Sequence, residues 1–232
     1  MKILDLFSGT QSVRKGLIEL NIDYEYIGLD IYSPEEDNTI FDLSQDDIIT
    51  KILLVLPKDW KPDFIWASPV CNKFSVLHRM QNGNYYFEKT PNGLKPRENF
   101  DCRMPKNYDK KDHSQAKIDA VLHLKLVKNM FEIIDYFNCN FIIENPLHSF
   151  MERLMPFEYK KNRADYCAYG YKYQKPTAIY SNDLLYLKRC KCNGIHEENI
   201  QDHIGMTYAR KSSVPPLLIK DILKYFIKEE TK

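Results

Sequence analysis

Lys2-Ile-Leu-Asp-Leu-Phe-Ser-Gly-Thr10 decides how the rest of the chain is read. The apolar run Lys2 to Phe7 breaks off at Ser8-Gly9-Thr10, the pattern of a buried strand that ends in a tight turn. A helix is expected directly afterwards over residues 11–20, where Val13, Leu17 and Leu20 share one face. Tyr24 to Asp30 reads as a second strand, closed by a carboxylate. A loop carrying Asp42, a short helix over Ile48 to Leu56 and a third strand over Phe64 to Ala67 come next. Strands and helices alternating in this way predict an α/β fold with a doubly wound, mostly parallel sheet. Such sheets bind ligands at the carboxyl ends of their strands. The Gly9 turn, Asp30 and the residues just past Ala67 should therefore share one ligand-binding edge.

Those residues are Ser68-Pro-Val-Cys71, in a stretch that continues Asn-Lys-Phe-Ser75. A cysteine held just past a strand end is placed to act on something in a cleft. Later, Ala120, Leu124, Val127, Phe131 and Ile134 recur at helical spacing and predict a long helix, ended by Asn138-Cys-Asn140. His123 lies beside that stripe and reads as structural or exposed. Phe141-Ile-Ile-Glu-Asn-Pro146 is another buried strand, one that carries Glu144 to the same edge as Cys71. Tyr166 to Lys172 and Thr177 to Ser181 read as two further strands around Gln174-Lys-Pro-Thr177. Ser213-Val-Pro215 opens a last helix with a hydroxyl cap and an early proline, and Leu218, Ile222 and Tyr225 form its apolar face.

The first turn also narrows the ligand. Gly9 lets the backbone approach it closely, and Asp30 stands where an adenosine ribose would be held. Gly-x-Gly-x-x-Gly is absent, so a dinucleotide pyrophosphate is poorly served. A nucleoside without phosphates, such as S-adenosylmethionine, suits the turn better.

A length of 232 residues with 44% hydrophobic content allows one large domain, or one with a small appendage. There is no run of about eighteen apolar residues, so no membrane span is expected. The chain starts directly on a strand-like segment, so no signal or transit peptide is expected. The scattered cysteines fit a reducing, cytoplasmic setting better than a disulfide framework. Charge is uneven: residues 1–70 carry six Lys/Arg against thirteen Asp/Glu, whereas residues 71–111 carry nine against four. The basic excess suits an anionic partner, although a solvated loop surface would account for it too. Residues 72–112 lack periodicity and interleave Phe74, Tyr85, Tyr86, Phe87, Phe100 and Tyr108 with those charges, a composition that suits a nucleic-acid surface on a mobile loop. Cys190-Lys-Cys192 with His196 and His203 offers metal ligands, but the spacing is not a strong zinc pattern, and the expectation is no metal.

Asp5-Leu-Phe-Ser-Gly9, Ala67-Ser-Pro-Val-Cys71-Asn-Lys-Phe-Ser75 and Ile143-Glu-Asn-Pro146 stand in the order seen in cytosine-5 DNA methyltransferases, and the chain resembles the short phage- or mobile-element-type enzymes of that family. Tyr166-Cys-Ala-Tyr-Gly-Tyr171, Lys175-Pro-Thr-Ala-Ile-Tyr-Ser-Asn182 and Arg210-Lys-Ser-Ser-Val-Pro-Pro-Leu-Leu218 resemble the same branch. The resemblance implies a Rossmann-like S-adenosylmethionine-dependent methyltransferase fold. It implies a catalytic domain over 1–182, with 72–112 as catalytic and DNA-contact loop, a reduced, irregular target-recognition segment over 183–210, and a C-terminal helix over 211–232 packed back on the domain. Asp5, Phe7, Ser8, Gly9, Thr10, Asp30, Ile31, Asp42 and Pro69 would bind S-adenosylmethionine. Cys71 would add to carbon 6 of a cytosine flipped out of double-stranded DNA, and Glu144 would contact ring nitrogen 3 and the exocyclic amine. Ser75, Arg79, Asn145, Lys172 and Lys175 would contact DNA or the base.

The sequence departs from the family in three places. Val70, not proline, directly precedes Cys71. The Gln-x-Arg-x-Arg motif is reduced to Gln174-Lys175-Pro176, which leaves Lys172 or Lys175 to act as a point charge. Residues 183–210 leave little room for target recognition, so a partner protein or relaxed readout is expected; the chain itself is expected to be a monomer. Two other readings stay open: a catalytically impaired DNA- or cofactor-binding relic with a regulatory role, and methylation of RNA or of a modified base.

Overall fold

The computed structural model describes residues 1–20, 23–32, 38–76, 79–80, 82–98, 113–198 and 212–229. In chain order the elements are β1 (Lys2–Leu6), α1 (Ser12–Leu20), β2 (Glu25–Asp30), β3 (Asn38–Ile40), α2 (Ile48–Val55) and β4 (Phe64–Ala67). Then come β5 (Arg79–Met80), β6 (Gly83–Asn84), β7 (Phe87–Thr90), β8 (Gly93–Pro96), α3 (His113–Phe137) and β9 (Asn140–Pro146). The chain continues through a 3-10 helix (Phe150–Leu154), β10 (Lys160–Asp165), a second 3-10 helix (Tyr166–Tyr169), β11 (Pro176–Ser181) and a last helix, here α4 (Pro216–Glu229).

The main sheet has seven strands in the order β10-β11-β9-β4-β1-β2-β3. From β3 across to β9 every pairing is parallel, while β11 pairs antiparallel with both β9 and β10. The chain winds outward through β1, β2 and β3, then returns to lay β4 against the other side of β1. That reversal makes a crevice between the carboxyl ends of β1 and β4.

Alternation along the strands explains why helices cover both faces. Ile3, Phe64, Trp66 and Ile142 face Leu17 of α1 and Leu218, Ile219, Ile222 and Phe226 of α4. Leu4, Leu6, Ile65, Ala67, Phe141 and Ile143 face Ile48 and Ile52 of α2 and Ala120, Val127, Phe131 and Ile134 of α3. The C-terminal helix thus packs beside the first one. Gly16 is the residue that allows this approach: a Cβ there would lie 2.7 Å from Ile219 Cγ2. The Ser12 hydroxyl also accepts the Val214 amide at 3.1 Å.

Two local expectations are corrected. Tyr166 to Lys172 is not a strand: the strand is β10, one step earlier, and Tyr166–Tyr169 is a 3-10 turn closed by Gly170 at φ 93°. The strand is hidden in the sequence because its residues, Lys-Lys-Asn-Arg-Ala-Asp, are polar. Its buried Asn162 takes the place of an apolar residue, donating to Ile179 O and Ser181 Oγ and accepting from the Leu185 amide. Nor are residues 72–112 irregular throughout, because β5 to β8 form a four-stranded antiparallel sheet. Strands of two to four residues are too short to display a period in sequence.

Phe74, Tyr85, Tyr86 and Phe87 are buried and belong to the hydrophobic core. Phe74 and Phe87 stack at 4.7 Å between ring centroids. These aromatics pack the protein and offer no stacking surface to a base, against the expectation. Phe100 and Tyr108 lie outside the described residues.

Candidate active site

Pairing register builds the site before any side chain is considered. Leu29, Leu6, Ala67 and Ile143 stand in one row across β2, β1, β4 and β9. The next residue on each strand therefore lies at the carboxyl edge: Asp30, Phe7, Ser68 and Glu144.

The turn after β1 is held in an uncommon backbone conformation. Phe7, Gly9 and Gln11 have φ of 63°, 32° and 52°, a region that costs non-glycine residues free energy and clusters at ligand sites. The Phe7 and Ser8 amides donate to Leu29 O at 2.9 and 3.2 Å. The Gly9 amide donates to Asp30 Oδ2 at 3.0 Å, and Asp30 Oδ1 accepts the Tyr32 amide at 2.8 Å. Thr10 meets Ser12 hydroxyl to hydroxyl at 2.7 Å. Asp30 thus braces the turn. Ile31 beside it is exposed. Asp42 lies just after β3, where it accepts the Ser44 amide at 2.8 Å.

Asp5 differs from its neighbours. Its carboxyl is buried and accepts from the Tyr26 hydroxyl at 2.8 Å, one layer beneath the turn. Burial pushes it up to about 8; the Tyr26 bond opposes this and the Asp30 charge adds to it.

Beyond β4, the Trp66 indole donates to Ser68 Oγ at 3.0 Å, and the Asn145 amide donates to Pro69 O at 3.4 Å. The end of β9 thereby holds the turn that carries Cys71. On the far side, buried Asn84 donates to Lys73 O at 2.7 Å and accepts the Tyr86 and Phe87 amides. Lys73 reaches Asp119 of α3 at 2.6 Å. Ser75 bridges to Ser149, and Arg79 pairs opposite Asn84 in β5. The residues on both sides of Cys71 are thus held in place. Neither Asn84 nor Lys73 stands out in the sequence, because their partners lie far along the chain.

Glu144 is buried and accepts the Tyr166 hydroxyl at 2.8 Å. Lys175 Nζ stands 3.8 Å from the same carboxyl oxygen and 4.6 Å over the Tyr166 ring. Lys172 instead pairs at the surface with Glu197, an exposed contact of little energetic weight. Of the two candidate lysines, Lys175 is the one beside Glu144. Burial is the largest influence on Cys71 and pushes its thiol above the ordinary range; Lys175 pulls it down and Glu144 pushes it up. A nucleophile, a carboxylate and a cation within electrostatic reach can together perform addition to an electron-poor ring and share a proton with it.

Tyr166 is legible in the sequence only as part of a run, since nothing in its spacing ties it to Glu144; it is the β9–β11–β10 pairing that brings them together. Gln11 Nε2 and Asn145 Oδ1 at this edge, with Arg163 Nε, are the buried side-chain polar atoms without a hydrogen-bond partner among the described residues.

A virus protein is similar to this chain. The "Probable DNA (cytosine-5)-methyltransferase" of Frog virus 3 (isolate Goorha) is 30% identical over 187 residues, which is 78% of this chain and 71% of the viral protein. No protein-family model matches. Among solved structures, the Entamoeba histolytica methyltransferase EhMeth aligns with a TM-score of 0.48 at 13% identity, covering 82% of this chain and 57% of its own. The S. pombe Dnmt2 methyltransferase aligns with a TM-score of 0.46 at 13% identity, covering 81% and 53%. The chain spans little more than half the length of these two solved proteins.

Proposed function

The chain belongs to the cytosine-5 DNA methyltransferase family, and from that premise we propose that it methylates carbon 5 of cytosine in double-stranded DNA, with S-adenosylmethionine as donor and a covalent adduct on Cys71. The observation that carries the reading is the strand register, which sets the Gly9 turn, the Cys71 turn and Glu144 along one edge at the switch point.

The first turn fits a nucleoside ligand. It has a glycine at positive φ, a carboxylate at the end of β2 and the orphaned Gln11 amide. Phe7 to Thr10, Asp30, Ile31 and Asp42 would hold S-adenosylmethionine, which supplies an electrophilic methyl group when bound. Pro69 borders the same crevice.

Cys71, as thiolate, adds to carbon 6 of a cytosine taken out of the base stack. Lys175 favours that thiolate, since a nearby cation lowers the cost of the charged form. Glu144, oriented by Tyr166, accepts from the exocyclic amine and shares a proton with ring nitrogen 3, so that charge does not build up on the ring as the sulfur–carbon bond forms. Carbon 5 then carries the electron pair that takes the methyl group. Loss of the carbon-5 proton and departure of Cys71 restore the aromatic ring.

The β5–β8 sheet, joined to the nucleophile loop through Asn84, would lie against the DNA with Ser75 and Arg79. Residues 183–210, or a partner protein, would add target readout. One chain supplies Cys71, Glu144 and Lys175, so the site needs no second copy. Among the described residues no helix is long and apolar enough to cross a membrane.

The test is to incubate the protein with S-adenosylmethionine and a duplex containing 5-fluorocytosine, which cannot lose its carbon-5 substituent and so traps the adduct. The expected result is a covalent complex mapping to Cys71 by peptide mass spectrometry. Cys71→Ser should give none while binding S-adenosylmethionine with unchanged affinity by calorimetry. Glu144→Gln should slow methyl transfer on the order of a hundredfold. Failure to trap any DNA while the donor binds would overturn the proposal.

A further inference from the structure

Residues 184–198 contain no helix or strand, and Leu184, Tyr186 and Ile195 are exposed. Leu185 is buried in the core and Leu187 packs partly buried against it. A stretch with so little apolar burial needs another source of order. Part of it is a polar clasp to the β10 end of the sheet. The Leu185 amide donates to Asn162 Oδ1 at 2.7 Å, the Lys188 amide to the Tyr169 hydroxyl at 2.7 Å, and the Cys190 amide to buried Asp165 Oδ2 at 3.0 Å.

That clasp delivers the segment's cysteines to a third one. Cys190 and Cys192 come to lie against Cys167, which sits in the 3-10 turn Tyr166–Tyr169. Past Cys192 the chain turns back at once: Asn193 and Gly194 have φ of 49° and 80°, and the Ile195 amide donates to Cys192 O at 2.8 Å. The turn brings in His196, whose Nε2 is 3.3 Å from Cys190 Sγ. The three sulfurs and one imidazole nitrogen all lie within 4.8 Å of one another. The Cys192 amide also points at Cys190 Sγ, at 3.4 Å, as backbone amides do towards metal-bound thiolates.

We propose that Cys167, Cys190, Cys192 and His196 bind one zinc ion. A tetrahedral site with metal–sulfur bonds of about 2.3 Å and a metal–nitrogen bond of about 2.0–2.1 Å sets its ligand atoms roughly 3.6–3.8 Å apart, so the observed separations of at most 4.8 Å need to close by no more than about 1 Å. Three soft thiolates and an imidazole select zinc over magnesium or calcium, which take oxygen ligands. Four protein ligands leave no open coordination position, so the ion is structural. The proposal departs from the sequence-based expectation of no metal, for which Cys190, Cys192, His196 and His203 are the ligands on offer: Cys167 takes the fourth place, and His203 lies outside the described residues. The ion pins the segment to the turn whose first residue, Tyr166, donates to Glu144. Its role is therefore to position the carboxylate through that turn.

The test uses the full chain purified under reducing conditions from zinc-supplemented medium, with metal measured by plasma mass spectrometry. One zinc per chain is expected in the wild type and in Cys139→Ser, a cysteine remote from the cluster. Cys192→Ser and Cys167→Ser should each lose most of it. Because a variant could fail to fold, the metal-free wild type is also titrated with cobalt. It should show visible ligand-field bands and thiolate charge transfer of a tetrahedral sulfur-rich site, displaced by one equivalent of zinc. The proposal is overturned if the reduced wild type holds no stoichiometric zinc and takes up cobalt without those bands, or if Cys167→Ser and Cys192→Ser retain full zinc.

Discussion

Tyr166→Phe isolates one hydrogen bond in the candidate site. The ring is fully buried and packs edge-on to Tyr171 at 5.5 Å, with Lys175 Nζ 4.6 Å over its face. Phenylalanine keeps that packing and removes the hydroxyl that donates to Glu144 at 2.8 Å. Burial and the Glu144 charge hold the Tyr166 hydroxyl well above its ordinary range, so it is a donor at any working pH. A hydrogen bond to a charged group contributes about 1.5–3 kcal/mol, which corresponds to roughly 10- to 150-fold in rate if the whole of it is lost at the transition state. Lys175, 3.8 Å from the same oxygen, can close in and recover part of that, which places the expected loss near the low end, at about tenfold. The assay is single-turnover methyl incorporation from labelled S-adenosylmethionine, run beside calorimetric affinity for the donor. Transfer should slow with donor affinity unchanged, because Tyr166 acts through Glu144 and not through the donor turn. A rate within about twofold of wild type, or a loss confined to donor affinity, would refute the assignment of Tyr166 as the residue that positions Glu144.

Lys175→Met should slow adduct formation and move its pH profile to higher pH: the cation lowers the Cys71 thiol against the push of burial, so its removal leaves less thiolate at a given pH. A profile that does not move would show that Cys71 does not sense Lys175. Asp5→Asn should flatten the pH dependence of stability, measured by urea unfolding without ligand. In the wild type the Asp5 contribution is full below its ordinary pKa of 3.8 and is lost as pH rises through about 8, a window corresponding to several kcal/mol at most. The variant should unfold at higher urea than wild type above pH 8, and parallel curves would show that the carboxyl is already ionised. Gly16→Ala should destabilise by about 1–2 kcal/mol, because the clash of a methyl 2.7 Å from the β-branched, fully buried Ile219 exceeds the roughly 1 kcal/mol gained in helix propensity. Adding Ile219→Ala to Gly16→Ala should cost less than the sum of the two single changes, and strict additivity would argue against the contact.

How much of the molecule is legible in the sequence depends on how locally each feature is encoded. β1, β4 and β9 are short apolar runs bounded by turn residues, and a strand buried on both faces announces itself in that way. Cys71 and Glu144 are legible for the same reason, each lying one to four residues past an unmistakable strand core. β10 escapes such a reading because its burial is polar: Asn162 satisfies in the interior a position that Val or Ile would fill elsewhere, and no composition rule separates it from a loop. The aromatic residues between 74 and 87 mislead because composition cannot say which side of a surface a ring occupies. Their role depends on Asn84 closing a meander of strands too short to show alternation.

Cys167 is the sharpest case. It precedes Cys190 by more than twenty positions and falls in a run, Tyr166-Cys-Ala-Tyr169, in which nothing ties it to the later cysteines. It reaches Cys190 because β11 is inserted between β9 and β10, so the chain leaves β10, crosses to β11 and returns past the end of β10. The same insertion sets Ile179 opposite Glu144 and aligns the Tyr166 turn with the end of β9. One topological feature therefore builds both the cysteine cluster and the hydrogen bond to the candidate catalytic carboxylate. A perturbation of either should be felt at the other through two adjacent residues, Tyr166 and Cys167, with no longer path required.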